Sequence, residues 1–236
     1  MPDRTSVAPF AERALQVAAT VSMLAALWCV FLYVPNERVQ GPVQRIFYFH
    51  VGAAQCAFLG FLVAAVASGL FLWRGREKHD RIAQAAVEVG MLLCTMVLVT
   101  GPIWARPTWG TWWTWDPRLT MTVILWAIYA SYLVLRAVGR DDPQIARYAA
   151  VLAVIGALDI PLIMISVRLW RGMHPSVITA PAGEGGLADP RMYHALFVAM
   201  IAFMLLFVWL LWLRYKELRL RDDLRGIEEW IAEARA

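Results

Sequence analysis

The run VGAAQCAFLGFLVAAVASGLFLW, residues 51–73, contains no charged side chain and is long enough as a helix to cross the hydrocarbon core of a bilayer. Five further apolar runs lie along the chain, and the six predicted membrane spans are residues 14–34, 51–73, 82–104, 119–135, 149–167 and 194–213. Backbone amides in lipid must be hydrogen-bonded within their own segment, and no run alternates at period two, so each span is expected to be a helix. The sequence therefore predicts an all-α integral membrane bundle of six transmembrane helices.

The composition leaves room for one membrane domain and a short tail. The 236 residues are 60% hydrophobic and 17% charged, so we assign residues 1–213 to a six-helix membrane domain and residues 214–236 to a C-terminal tail helix. One apolar face of the tail could lie on the membrane or dock a partner, and a solvated helix without such a role is the alternative. Three cysteines lie inside apolar runs and are expected to be small core residues: Cys29, Cys56 and Cys94.

Positively charged residues indicate how the bundle is oriented. Of the 22 Lys and Arg residues, 15 lie in the two termini and in the loops after the second and fourth spans. Because Lys and Arg concentrate on the cytoplasmic side, both termini are predicted to be cytoplasmic, and the loops 35–50, 105–118 and 168–193 to face outward. The net charge of +4 then reflects topology in a lipid bilayer, and no nucleic-acid partner is expected.

Five of the twelve tryptophans lie in one outer segment, WARPTWGTWWTWDPR, residues 104–118. An interfacial aromatic belt is the alternative interpretation, but a belt spreads tryptophans over many helix ends. A cluster of indoles offers a flat, polarizable surface that suits a planar apolar ligand such as a porphyrin. The candidate ligand-binding tryptophans are Trp104, Trp109, Trp112, Trp113 and Trp115.

Charged side chains in the same segment complete the candidate site. Arg106 and Arg118 can each pair with a ligand carboxylate through two parallel hydrogen bonds. Asp116 precedes a proline, where it is expected to cap the following helix or to orient Arg118, and it is included among the candidate binding residues.

Haem iron needs axial ligands, and histidine is the usual nitrogen donor. His50, His174 and His194 lie at the predicted outer ends of spans, whereas His79 lies in a cytoplasmic loop and is expected to be solvated. Singly, each outer histidine could be an ordinary interfacial residue. His50 and His174, at the level of the tryptophan segment, are the predicted iron ligands, and His194 is expected to contact the start of the last span. Residues 175–190, rich in Pro and Gly, predict a flexible flap.

Two acidic residues lie inside predicted spans, where a charge is costly and often functional. Glu88 and Asp159 could belong to a proton path, but polar contacts between packed helices are the preferred interpretation. Asp159 also lies two positions before Pro161, which predicts a kink in the fifth helix.

A family resemblance rests on the tryptophan segment and its flanking histidines. WGTWWTWDPRLT, preceded by GPIWARPT and flanked by His50 and His174, resembles the signature of the tryptophan-rich haem-handling proteins, and in its six-span form the CcmC family, haem exporter protein C. The resemblance covers all six spans and implies haem b as the bound group. It further implies that both histidines are its axial ligands and that its binding loop is formed by Trp109, Trp112, Trp113, Trp115 and Asp116.

The first outer loop and the start of the second span are read from the same resemblance. Gln40, Gly41 and Arg45 resemble the polar residues with which the family contacts a partner. VGAAQ, residues 51–55, departs from the family's usual Val-Pro-Ala-Ala pattern. Since Pro suits the first turn of a helix and Gly does not, the sequence defines the start of the second helix poorly.

The resemblance implies a bacterial inner-membrane protein that binds haem on the periplasmic side and presents it to the haem chaperone CcmE. The transporter subunits CcmA and CcmB and the small membrane protein CcmD are the other implied partners. Such a protein is an assembly factor and not an enzyme, although it could assist covalent loading of the chaperone in a lyase-like way. Two other classes stay open: a membrane haem-b electron-transfer protein, and a permease for another planar solute.

Overall fold

The structure, a computed structural model, describes residues 8–139, 142–170, 174 and 187–235. Most of this part of the chain is helical. The α-helices are α1 (Ala8–Trp28), α2 (Ile46–Arg74), α3 (Glu77–Trp109), α4 (Pro117–Val138), α5 (Pro143–Ala157), α6 (Asp159–Trp170) and α7 (Pro190–Arg235). A π-helical turn, Cys29–Tyr33, extends α1, and a 3-10 turn, Pro42–Arg45, precedes α2. Six helical segments are long and apolar enough to cross a membrane, which confirms the predicted all-α bundle.

The fifth span is formed by two helices. α5 ends at Ala157 and α6 begins at Asp159, with Leu158 as the junction. Pro161 follows in the first turn of α6, where its missing N–H leaves no helical hydrogen bond unmade. The kink predicted from Asp159 and Pro161 is therefore confirmed as a break between two helices.

The centre of the bundle is held by close contact between α2 and α3 and by a tyrosine on α4. A Cβ atom added at Gly60 of α2 would lie 3.1 Å from the Cα of Gly90 of α3, so a small residue is required there. The ring of Phe61 stacks on that of Tyr129, with centroids 3.9 Å apart. The Tyr129 hydroxyl donates to the Ala153 carbonyl on α5 at 2.8 Å, which joins three helices around one aromatic pair.

The glycine that departs from the family pattern lies inside α2 and not at its start. α2 begins at Ile46, directly after the 3-10 turn, so His50 and Gly52 are both helical. A Cβ atom at Gly52 would lie 2.6 Å from the Cδ2 atom of Phe203 on α7. The expectation of a poorly defined helix start is wrong, because Gly52 serves the close packing of α7 on α2.

The tryptophan segment begins as helix. α3 continues past the predicted span end at Trp104 and ends at Trp109, through both Pro102 and Pro107. Gly110 then adopts a left-handed conformation, with φ of 76°, and its N–H bonds the Arg106 carbonyl. The predicted outer loop, 104–118, is therefore corrected to a non-helical stretch, 110–116, between α3 and α4.

The C-terminal tail continues the last membrane helix. α7 has 46 residues without a break, or about 70 Å at 1.5 Å per residue, whereas the hydrocarbon core is about 30 Å thick. The separate tail helix predicted for residues 214–236 is thus the projecting end of α7. Leu224, Ile227 and Trp230 are exposed along it.

Ion pairs join the helices at the end of the bundle where α3 begins. Arg136 of α4 donates to both carboxylate oxygens of Asp80 on α3, at 3.1 and 2.8 Å. Glu88 of α3 pairs with Arg214 of α7, which confirms the preferred interpretation of Glu88 as a polar contact between packed helices. We call these two pairs the ionic layer.

Candidate functional site

A cavity of about 480 Å³ lies at the opposite end of the bundle from the ionic layer. This volume falls within the range of about 300–1,000 Å³ typical of ligand pockets. Its deeper walls are apolar and come from α2 and α3, where Phe58, Cys94 and Val97 line it. Its rim carries six of the residues predicted from the sequence: His50, Trp104, Trp109, Trp113, Arg118 and His174.

His50 is held by two neighbours on α3. The residue is 9% exposed, and Nδ1 lies 2.9 Å from the hydroxyl oxygen of Thr100. Trp104 meets the ring edge to face, with centroids 6.0 Å apart. Gly101 lies beside the imidazole, where an added Cβ atom would be in ordinary contact, 3.5 Å from His50 Cε1. The packing of α2 on α3 therefore fixes the ring at the cavity wall.

His174 reaches the same cavity from a distant part of the chain. It follows α6, and it lines the wall together with His50. His174 and Arg118 both lie close enough to His50 to interact with it electrostatically. The predicted flap falls largely on residues 175–186, which lie outside the described residues. The fold thus brings the two predicted ligand histidines to one cavity.

The five candidate tryptophans separate into two groups. Trp104, Trp109 and Trp113 line the cavity, and Trp104 is 8% exposed. Trp112 and Trp115 are 59% and 77% exposed and are not among the described lining residues. The cavity-facing surface is therefore built from three indoles and not five.

The charged residues of the segment also have different positions. Arg118, in the first turn of α4, lines the cavity, whereas the Arg106 side chain donates back to the Gly110 carbonyl at the end of α3. The Asp116 carboxylate accepts from the Arg118 backbone N–H at 2.9 Å, as the N-cap of α4. Asp116 is 7% exposed, and its predicted capping role is confirmed.

The first outer loop is tied to the site through Gln40. Its side-chain oxygen accepts from the Trp104 indole N–H at 2.9 Å. The loop itself is turned by Glu37, whose carboxylate accepts from the Val39 backbone N–H. The side chain of Gln40, predicted to contact a partner, is therefore engaged inside the protein, whereas Arg45 lies at the end of the 3-10 turn.

The two other histidines lie away from the cavity. His194, in the second turn of α7, has Nδ1 3.2 Å from the Tyr33 hydroxyl, so its contact is with the π-helical turn after α1 and not with the start of its own helix as expected. His79 is 7% exposed near the start of α3, so the expectation of a solvated side chain is wrong. In the first turn of α7, the Arg191 side chain donates to the preceding Asp189 and lowers the pKa of that carboxyl to about 2.

Sequence patterns did not identify several polar and sulfur-bearing residues of the cavity. Thr122 lines the cavity, and Thr100 borders it through its contact with His50. Gln55 of α2 also lines it and donates to the Met200 carbonyl of α7 at 2.9 Å. Met164 also lines the wall. A polar residue interrupting an apolar run is the signal that marks Thr100 and Gln55, but the packing of the helices decides which of them meet the cavity.

The chemistry of this donor set fits a planar metal-containing ligand with carboxylates. Indoles supply flat apolar contact, a guanidinium matches a carboxylate, and two imidazoles can complete the coordination of an iron macrocycle. Fold and cavity together define a multi-pass membrane protein with a ligand-sized aromatic pocket at the end of its bundle.

Comparison with known proteins identifies the family within that class. Residues 4–228 match the model of the CcmC family, described as Heme exporter protein C. The chain belongs to this family.

Relatives with that name are similar over most of their length. The protein from Bradyrhizobium diazoefficiens is 39% identical over 196 residues, which cover 82% of this chain and 73% of the relative. That from Rhodobacter capsulatus is 33% identical over 216 residues, with 90% and 88% covered. That from Escherichia coli K12 is 30% identical over 220 residues, with 93% and 87% covered.

Proposed function

We propose that this chain binds haem in the aromatic cavity and hands it on during cytochrome c maturation. The observation that carries the proposal is the meeting of His50 and His174 at one cavity, although 124 positions separate them in the sequence. Membership in the Heme exporter protein C family supports haem as the cargo. The apolar walls and the volume of about 480 Å³ suit an amphiphilic ligand of this class.

His50 and His174 are the proposed axial ligands of haem b. Imidazole is the usual nitrogen ligand of haem iron, and two imidazoles give a low-spin centre with a distinct visible spectrum. His50 is buried and fixed by Thr100 and Trp104, whereas His174 is half-buried. His50, which is fixed, is suited to hold the haem both before and during its transfer. His174, which is more exposed, is suited to be replaced as an iron ligand when the haem passes to its acceptor.

Arg118 is the proposed partner of the haem propionates. Its position in the first turn of α4 places it on the cavity wall, while Arg106 bonds its own helix end. Trp104, Trp109 and Trp113 supply the apolar surface. Trp112 and Trp115 remain part of the proposed haem-handling segment, and their exposure leaves them available to a protein that approaches the rim.

The proposed acceptor is the haem chaperone CcmE on the periplasmic side of the bacterial inner membrane. The positive residues favour this orientation, with both termini in the cytoplasm. CcmA, CcmB and CcmD are the proposed membrane partners, and Arg45 of the first outer loop is a proposed partner contact. The contribution of the chain is orientation of its cargo, which can assist covalent loading without side-chain acid–base chemistry.

Histidine variants of the purified protein test the ligand assignment. In the double variant His50→Ala and His174→Ala, we expect the low-spin haem absorbance to be lost, because both iron ligands are gone. His194→Ala is the matched control, since His194 lies at a helix end on the same side and pairs with Tyr33. A double variant with the wild-type spectrum would remove the assignment.

A further inference from the structure

A hydroxyl group on α3 lies within hydrogen-bond distance of the buried His50 imidazole. Thr100 Oγ1 donates to the Met96 carbonyl at 2.8 Å, one turn earlier in the same helix. A hydroxyl has one proton, so a Thr100 side chain that donates to this carbonyl can only accept from a third group. His50 Nδ1 lies 2.9 Å from the same oxygen, and in this arrangement it is the donor. We propose that Thr100 is a positioning residue that holds His50 as the Nδ1–H tautomer and leaves Nε2 as its metal-binding nitrogen.

Trp104 holds the His50 ring in the orientation that this hydrogen bond requires. It meets the buried imidazole edge to face, with centroids 6.0 Å apart. Rotation of the ring about its bond to Cβ would move Nδ1 away from Thr100 and break the bond between them. Histidine ligands of metals commonly donate their second N–H to an acceptor, which fixes the tautomer and makes the ligand more basic. This inference rests on the proposed function, since it assumes that His50 binds iron.

Thr95 of α3 is a matched control because it is not among the described lining residues of the cavity. Its hydroxyl also donates to a carbonyl one turn earlier, that of Met91, at 2.8 Å, and its oxygen accepts from the Trp126 indole N–H at 2.9 Å. Thr95→Val thus removes the same helical hydrogen bond and the acceptor of a ring N–H, without touching His50. Thr100→Val removes the acceptor of the imidazole N–H, and Thr100→Ser keeps it.

The first test measures haem binding and the reduction potential of the bound haem. Thr100→Val should weaken binding by roughly 10-fold or more, the usual cost of losing such a partner. It should also raise the potential, because a less basic ligand stabilises the ferric state less. Thr100→Ser should restore both properties, and Thr95→Val should match the wild type. Equal affinity and potential in Thr100→Val and Thr95→Val would overturn the proposal.

The second test needs no haem. Nitrogen-15 NMR of histidine-labelled, haem-free protein should show His50 as a neutral ring with its proton on Nδ1, and Thr100→Val should lose that preference. A proton on Nε2 in the wild type would contradict the positioning role.

The two proposals can fail separately. If His50→Ala keeps the low-spin spectrum, His50 is not a ligand and the proposed function is at fault. If His50→Ala loses it while Thr100→Val binds haem like the wild type, the positioning role alone is wrong.

Discussion

The two ends of the bundle use polar side chains in different ways. In the ionic layer, each charged side chain pairs with an opposite charge on another helix: Arg136 pairs with Asp80, and Arg214 pairs with Glu88. At the other end, His50 and Arg118 line a cavity bounded by indoles. Charges paired across a helix interface hold the helices together, whereas polar groups around an apolar cavity are placed for a ligand. The position of a polar residue within a span therefore does not by itself show whether the residue joins helices or binds a ligand.

The largest expected effect on haem binding concerns the two arginines of the tryptophan segment, Arg118 and Arg106. Arg118→Ala should weaken haem binding about 30-fold, which corresponds to about 2 kcal/mol for a charged hydrogen bond. Arg106→Ala, which removes an equal charge from the same segment, should leave the affinity near the wild-type value, because Arg106 bonds Gly110. Titration of each purified variant with haem measures the effect. A larger loss in Arg106→Ala would mean that the propionates lie outside the cavity.

Two adjacent tryptophans, Trp112 and Trp113, allow a second comparison at the end of the bundle that holds the cavity. Trp113→Ala should reduce haem affinity about fivefold or more, since an aromatic contact is worth about 1 kcal/mol beyond the buried area. Trp112→Ala should change it little, because Trp112 is 59% exposed and lies off the cavity wall. Loading of the chaperone, measured in parallel, should be impaired in Trp112→Ala if that indole contacts the acceptor. If neither variant affects binding or loading, the segment is an interfacial belt.

The smallest expected effect is in the ionic layer, and it concerns stability. Glu88→Gln should lower the free energy of unfolding by about 1 kcal/mol, because the amide oxygen keeps one of the two hydrogen bonds from Arg214, whereas the amide nitrogen cannot accept the other and the charge is lost. Glu217→Gln is the control, since Glu217 also pairs with Arg214 but is 48% exposed, and it should change stability less. Thermal unfolding in detergent measures both variants. A change in the haem spectrum of Glu88→Gln, with unfolding as in the wild type, would mean that the two ends are not separate.

The spans could be predicted because the length of an apolar run is set by the bilayer. Their ends were predicted less well, since local caps decide them: Gly110 ends α3 beyond the predicted boundary at Trp104. The tail was predicted as helix, but charge patterning does not reveal that α7 continues from the membrane into it without a break.

The residue types of the candidate site could be predicted from the sequence, but the directions in which their side chains point could not. The tryptophans were candidates because they cluster in one segment, and the histidines because the chain has only four of them. Which indoles face the cavity depends on how α2, α3 and α4 pack, and so does the contact between Thr100 and His50. Glu88 shows the same limit, because its partner Arg214 lies 126 positions away in the sequence.

A structure of the protein with bound haem tests the central claim most directly. We expect the iron to be coordinated by Nε2 of His50 on one side and by His174 on the other, with the porphyrin against Trp104, Trp109 and Trp113. Haem bound elsewhere on the chain, or iron held in the cavity without either imidazole, would contradict it.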